Sequence, residues 1–296
     1  MQKQLSIQEN QLNEQILKLC HSMEISLHDN HKGPKIYTNY QRIALIILYV
    51  RSKKSLVNFL LELRETKWIS WLGLKEIPCD STLNNWVKKF DLNFVRKLVS
   101  NQLKSQKPKM MAIDATGIDS WKRSRHYEKR MREFGHKEHM PYSKLDVIVD
   151  VDNMLIHDWV LRIKPRHDTL GAESIFRRMK LKDILILADK GYDSEPLHKL
   201  VRKMGNLLFA PVRNFKEIPR GFNRKRCAKG NENYSMRNTA ESVIHALKCM
   251  KNELRSKINY QKKREMGWTV LVYNMIKMIE ISKTLFYFYF KSLFWI

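Results

Sequence analysis

The chain has 296 residues, 43% hydrophobic and 10% aromatic, enough apolar material for a sizeable core in one large domain or two modest ones. Its 55 Lys+Arg against 30 Asp+Glu give a formal charge of +25. Such an excess repels itself and points to a polyanionic partner, nucleic acid first and an anionic membrane surface second.

Residues 1–100 read mostly as helix. The N-terminal "MQKQLSIQENQLNEQ" is too polar for a secretion signal. "YQRIALIILYVRSKKSLVNFLLELRE" is long, apolar-periodic and free of Gly and Pro, which predicts one long helix. Pro78 stops the preceding element. Asp80 or Ser81 then caps a short helix carrying Leu83, Trp86 and Val87 inward and Lys88 and Lys89 outward. A short capped helix after a turn suits a helix-turn-helix DNA reader and equally suits a small helical bundle.

The texture changes at Lys107–Pro108. "KMMAIDATGI" is a strand pattern, and "KLDVIVDVD" with "NMLIHDWVLRI" reads as a hairpin about Asp152–Asn153. "TLGAESIFRRMKL" reads as helix, "DILILAD" as a buried strand, "SEPLHKLVRKMG" as a helix closed by Gly205, and "NLLFAPV" as another strand. Residues 213–233 read as a basic loop, followed by a helix from about Asn238 and further helices to the end. The order β-β-β-α-β-α-β-α predicts a mixed α/β sheet with helical appendages.

The charge is uneven. Residues 201–296 hold 20 Lys+Arg and 6 Asp+Glu, so they carry +14 of the total. Cys20, Cys79, Cys227 and Cys249 form no C-x-x-C pair and read as unpaired thiols in a reducing compartment, which makes the cytoplasm the expected location. In the aromatic tail "KTLFYFYFKSLFWI", Lys283 and Lys291 leave seven charge-free residues between them, against the ~20 a membrane helix needs. A packing or interface helix is expected there, not a span.

Three acids stand out because phosphodiester chemistry with hard cations needs carboxylates converging on one point. Asp114 sits in the first apolar strand, a poor structural position for an acid unless the strand ends there and Asp114 is a turn residue. Asp189 closes "ILILAD", at the carboxyl end of a buried strand where α/β sheets carry active groups, or begins a plain strand-to-helix turn. Glu241 lies in "YSMRNTAESVIHALK", four residues after Arg237 and seven before Lys248. On a continuous helix all three face one side, Arg237 and Lys248 lying about 20° apart after three turns. The plain reading of Glu241 is an i,i+4 ion pair with Arg237; the alternative is a metal ligand beside a DNA phosphate.

Other candidates are weaker. Asp193–Ser194 and Asp168 are expected to cap the helices that follow them. Asp146, Asp150 and Asp152 alternate along a strand and are expected to face solvent. The cluster His126, His136 and His139 has no cysteine beside it, which makes zinc the weaker reading.

Taken in order, D-x-T (Asp114, Thr116), D-x-G-Y (Asp189, Gly191, Tyr192) and Y-x2-R-x3-E-x6-K (Tyr234, Arg237, Glu241, Lys248) resemble the DDE transposases of bacterial and archaeal insertion sequences, in the superfamily of the groups numbered four and five. The resemblance covers roughly 107–280, and its last motif matches without a gap. It implies a ribonuclease-H-like core with the first Asp on the first strand, the second after the fourth strand and the Glu on a later helix.

It also implies metal-dependent cut-and-paste transposition. Asp114, Asp189 and Glu241 would hold two Mg²⁺ or Mn²⁺ ions and act as the catalytic residues, with Tyr234, Arg237 and Lys248 on DNA phosphates. The expected partners are double-stranded DNA, as terminal inverted repeats and target, and a second copy of the chain on that DNA, in a prokaryotic, nucleoid-associated setting. Some relatives carry a large β-rich insertion between the second Asp and the Glu; here that interval is 52 residues, so any insertion is small. The expected organisation is an N-terminal helical, DNA-end-binding region (1–105), a catalytic core (106–255) and C-terminal helices (256–296). The rivals are a nuclease on the same fold without strand transfer and a non-catalytic DNA-binding derivative of a transposase.

Overall fold

The structure is a computed structural model that describes residues 2–29, 34–119, 130, 133–135, 142–213 and 219–293, with side chains from 8 to 284. The histidines at 126, 136 and 139 lie outside the described residues. The chain divides into two compact units, one of residues 1–105 with 264–296 and one of residues 106–263.

The first unit is helical: α1 (Gln2–Ser22), α2 (Asn39–Ser52), α3 (Leu56–Leu63), α4 (Trp68–Trp71), α5 (Asp80–Lys89) and α6 (Leu92–Gln102). The long helix expected across 40–65 is broken in two. Lys53 adopts the left-handed conformation at φ 58°, ending α2, and the Ser55 hydroxyl accepts from the Asn58 amide to start α3. α2 opens with a reciprocal Thr38–Gln41 capping box and is buried continuously from Ile43 to Leu48. Each large aliphatic side chain so buried is worth about 1.5–3 kcal/mol before entropy is charged against it.

α5 forms where a short helix was expected and buries Leu83 and Trp86, but its N-cap residue is Cys79, not Asp80 or Ser81, and Lys89 pairs with Asp29. The C-terminal region is one helix, α11 (Asn259–Leu293), not several. Its Trp268 is fully buried and meets Phe90 edge-on. Among the described residues no helix is long and apolar enough to cross a membrane.

The second unit is built on β1 (Met110–Asp119), β2 (Tyr142–Asp150), β3 (Ile156–Arg162), β4 (Leu185–Ala188) and β5 (Leu207–Phe209), in the sheet order β3-β2-β1-β4-β5. β1–β2 and β2–β3 are antiparallel, while β4 and β5 run parallel to β1. This order and these directions make the ribonuclease-H-like sheet that the resemblance implied. The helices are α7 (Asp168–Phe176), α8 (Glu195–Lys203), α9 (Phe222–Cys227) and α10 (Asn238–Met250). Gly205 at φ +80° closes α8 as expected. The stretch 213–233, expected as loop, contains α9 and the start of a 3-10 segment, Glu232–Arg237.

Strand alternation decides the two faces of the sheet. Met111, Ile113 and Ile148 join Ala172, Ile175 and Phe176 of α7 and Leu197 and Val201 of α8 in one core. The opposite face of β1 and β2 is covered by α10, which buries Ala240, Val243, Ile244 and Leu247.

Asp146 and Asp150 do not face solvent. Both are fully buried, because they share the face of Ile148, which points into the core; Asp152, beyond the strand, is exposed. Asp150 ties the hairpin by accepting from the Asp152 amide (2.9 Å) and the Asn153 side chain (2.9 Å). Asp146 is gripped by Arg162 Nε (3.0 Å) and Nη2 (2.8 and 2.9 Å). Burial nevertheless pushes the Asp146 carboxyl up to about 6, so it outweighs the Arg162 charge.

Gly171 of α7 is what makes room for this pair. A Cβ there would lie 2.3 Å from the Asp146 carboxyl carbon. We predict that Gly171→Ala lowers the unfolding free energy by about 1–3 kcal/mol, the usual cost of overpacking. Urea unfolding measures it; an unchanged midpoint would mean that Asp146 yields without loss.

Candidate active site

The site begins with a register. β1 and β4 run parallel with Ile113 opposite Ala188, so the next residues along each strand, Asp114 and Asp189, stand side by side. Adjacent strands are about 4.8 Å apart, close enough for the two carboxylates to act on each other. β1 runs on to Asp119, so Asp114 is a mid-strand residue and not a turn. It points away from the Met111–Ile113 core, towards the face that α10 covers.

Glu241 lies in the first turn of α10, and Arg237 is the residue before that helix. Arg237 spans the acids: Nη1 is 3.5 Å from Asp114 Oδ2, and Nη2 donates to Glu241 Oε1. The i,i+4 pair is therefore real, but it is half of a bridge to the strand. Asp114 is mostly buried, with 17% of its side chain exposed, while Glu241 keeps 54%. Burial raises the Asp114 pKa, Arg237 opposes that shift, and the Asp189 and Glu241 charges add to it. The three acids thus share one electrostatic neighbourhood.

Asp189 sits just past the end of β4, where sheet hydrogen bonding stops. Its Oδ1 accepts from the Gly191 amide at 2.7 Å. A Cβ on Gly191 would lie 2.8 Å from that same oxygen and 3.2 Å from Asp168 Oδ2. Close approach to two carboxylates, not a special φ, explains this glycine. Tyr192 then turns into the core and is fully buried, its hydroxyl without a hydrogen-bond partner among the described residues. Burial and the surrounding carboxylates hold its phenol well above the usual range.

Tyr234 belongs to the 3-10 segment ahead of α10 and meets Phe209 edge-on at 5.5 Å. Lys248 is half-buried in the last turn of α10, about 10 Å along the axis from Glu241. Among the described residues it pairs with no carboxylate.

Two acids expected to be helix caps do other work. The N-cap of α7 is His167; Asp168 is the first helical residue and pairs with Lys144. Of the expected Asp193–Ser194 cap, Ser194 is the N-cap residue of α8, without a side-chain cap bond, and Asp193 makes no cap. Its carboxylate is held by Arg224 Nε and Nη2, both at 2.7 Å, with the Arg213 amide at 3.1 Å. Side chains that only the fold brings together, Arg213 above all, are absent from the motif reading. The one available signal was the unexplained basic stretch that opens at Arg213.

Among the described residues no three His, Cys, Asp or Glu side chains stand close enough together to hold a metal ion as they are placed. Arg237 bridges Asp114 and Glu241 and brings a positive charge between them. The donor set fits a hard cation, since it consists only of carboxylate oxygens.

The profile of the family described as Transposase DDE domain matches residues 105–275, more than half of the chain. No curated protein matches the sequence at a significant level. Among solved structures, the chain is similar to a cryo-EM structure of the piggyBac transposase synaptic complex with hairpin DNA. They share 12% identity over 92% of this chain and 73% of that chain, with a TM-score of 0.46.

The raised Asp114 pKa has a consequence for stability. The fold favours the protonated form, so the contribution of Asp114 is fully present below its ordinary value of 3.8 and is lost as pH rises through the folded value. We predict that in metal-free buffer at neutral pH Asp114→Asn raises the thermal midpoint. The gain should vanish below about pH 4, where the native residue is neutral too. Melting curves across pH check it; a destabilised variant at neutral pH would mean that the Arg237 pair outweighs burial.

Proposed function

The chain belongs to the family of transposases with a DDE domain, and we propose that it cuts DNA at the ends of a mobile element and joins the freed 3′-hydroxyl to target DNA, with Asp114, Asp189 and Glu241 holding two divalent ions. The observation that carries this reading is the parallel register of Ile113 with Ala188, which brings the next residues, Asp114 and Asp189, to neighbouring positions, with Glu241 near enough for its charge to act on Asp114. Mg²⁺ or Mn²⁺ bound there would activate the attacking oxygen and stabilise the leaving one.

The protein's own groups do the rest. Asp114, desolvated on its strand, would gain from a cation, because burial outweighs the Ala115 amide and the Arg237 charge that favour its ionised form. Glu241, more exposed and on a helix, is free to turn from Arg237 to a metal. Arg237, once released, has its guanidinium beside the reacting centre and holds the scissile phosphate by its planar fork. Tyr234 and Lys248 extend the phosphate track along the 3-10 segment and α10. The +14 carried by residues 201–296 supplies the sequence-independent share of DNA affinity.

Recognition of the element's ends is assigned to the helices before residue 105, with α5 as the reading helix, and two copies of the chain bring two ends together. A chain with these residues and no strand-transfer activity would be a nuclease. Joining of a pre-cleaved end to plasmid DNA separates the two.

We predict that Asp114→Asn, Asp189→Asn and Glu241→Gln each reduce end cleavage to the level of DNA alone while leaving end binding nearly intact. Single-turnover cleavage and filter binding measure the two. Any one variant that cleaves at the unaltered rate removes that residue from the site. Cleavage should run with Mg²⁺ or Mn²⁺, be weak with Ca²⁺ and stop in excess EDTA.

Lys248→Ala should flatten the dependence of log affinity on log salt by about 0.9, one phosphate contact, whereas Glu241→Gln leaves that slope alone. Equal slopes for Lys248→Ala and the unaltered protein would take Lys248 off the DNA.

A further inference from the structure

We infer that Arg213 is a positioning residue for Asp189: its guanidinium fixes the turn 190–193, and that turn fixes the carboxylate. The inference rests on the proposed metal role of Asp189 and extends it to a residue outside the transposase motifs.

The need for such a residue follows from the sheet. β4 is four residues long and ends at Ala188, so Asp189 has no ladder to hold it. Its orientation depends on the 3-10 turn Lys190–Tyr192, whose Gly191 amide donates to Asp189 Oδ1 at 2.7 Å. A single amide directs a carboxylate only as well as its own peptide plane is fixed.

Arg213 fixes that plane from the other side. Its Nε donates to the Lys190 carbonyl at 2.9 Å and its Nη2 to the Gly191 carbonyl at 3.0 Å. The two carbonyls bracket the Gly191 residue, and the Lys190 carbonyl shares its peptide plane with the Gly191 amide. Rotation of that plane would break the Arg213 and Asp189 bonds together. The Arg213 backbone amide also donates to Asp193 Oδ2 at 3.1 Å, on the carboxylate that Arg224 clamps. One residue therefore ties the turn at three points.

His167 supports the guanidinium. Arginine has no acceptor, so the 3.3 Å contact between Arg213 Nη2 and His167 Nε2 requires a lone pair on Nε2. The imidazole proton then sits on Nδ1, which donates to Thr169 Oγ1 at 3.1 Å. The 3.4 Å approach of the Thr169 amide to Nδ1 is, in this tautomer, a close contact only.

A fork is essential to this role. Lysine keeps the charge but is a point donor and cannot hold the two carbonyls through one planar group. Groups that orient metal ligands from behind change metal affinity or activity by about 10–100-fold when removed.

The experiment compares Arg213→Lys, Arg213→Ala and Asp189→Asn with the unaltered protein, each bound to an element end. Mn²⁺ binding is read from the loss of the free-ion electron paramagnetic resonance signal, alongside single-turnover cleavage and the salt dependence of DNA binding. Both Arg213 variants are expected to need about 10-fold or more Mn²⁺ for half-saturation and to cleave correspondingly more slowly. Arg213→Lys should keep the DNA affinity and salt slope, which separates positioning from phosphate binding. Should Arg213→Ala fail to fold, Arg213→Lys alone decides. If Asp189→Asn is inactive while the Arg213 variants bind Mn²⁺ and cleave normally, the inference is overturned and the metal site stands. If Asp189→Asn itself binds Mn²⁺ and cleaves normally, the metal role of Asp189 falls, and with it the inference.

Discussion

The second unit depends on one pairing, the parallel ladder between β1 and β4. With Ile113 opposite Ala188, the residues one step further are two aspartates, Asp114 within β1 and Asp189 just past the end of β4. Like charges that close are costly, and burial of Asp114 makes them more so. Much of the nearby polar structure answers that cost. Arg237 reaches across from the start of α10, the Gly191 amide meets Asp189, and the turn that carries the amide is held by Arg213.

The opposite face of the sheet carries a second ionic system with a different character. Asp146 and Arg162 are closed on each other, and Lys144 with Asp168 lies beside them. Removing one member of a buried pair strands the other, so this group is a fixed support. The Arg237 bridge is unlike it, because it joins a buried carboxylate to an exposed one. Under the proposed function, exchange of Arg237 for a cation at Glu241 would consequently be cheap, and a ligand so easily released would suit a site that loads metal and DNA together.

Much of this was legible in the residues. Apolar runs marked the five strands in chain order, and the helix expected from about Asn238 is α10; the continuous helix expected to carry Arg237 with Glu241 and Lys248 gives way at Arg237 to a 3-10 segment. What failed did so for local reasons. The break at Lys53 carries no Gly or Pro; it depends on a non-glycine residue in the left-handed region and a serine cap two residues on. Asp146 and Asp150 looked solvated because they are acids, yet strand alternation puts them with Ile148, and Gly171 of the facing helix α7 leaves space for Asp146. Asp168 and Asp193 looked like caps because they precede helices; their arginine and lysine partners are far away in sequence. Arg213 could not be found from spacing at all, since its acceptors are backbone carbonyls that only the fold brings near.

The central claim is that Asp114 and Asp189 serve one metal centre. The most direct measurement is anomalous diffraction from crystals of the protein bound to an element end and loaded with Mn²⁺. The account predicts an anomalous peak in coordination contact with oxygens of both Asp114 and Asp189, with the Arg237 guanidinium withdrawn from Glu241. A peak elsewhere on the protein, or none beside these carboxylates with Arg237 still bridging Asp114 and Glu241, would contradict it.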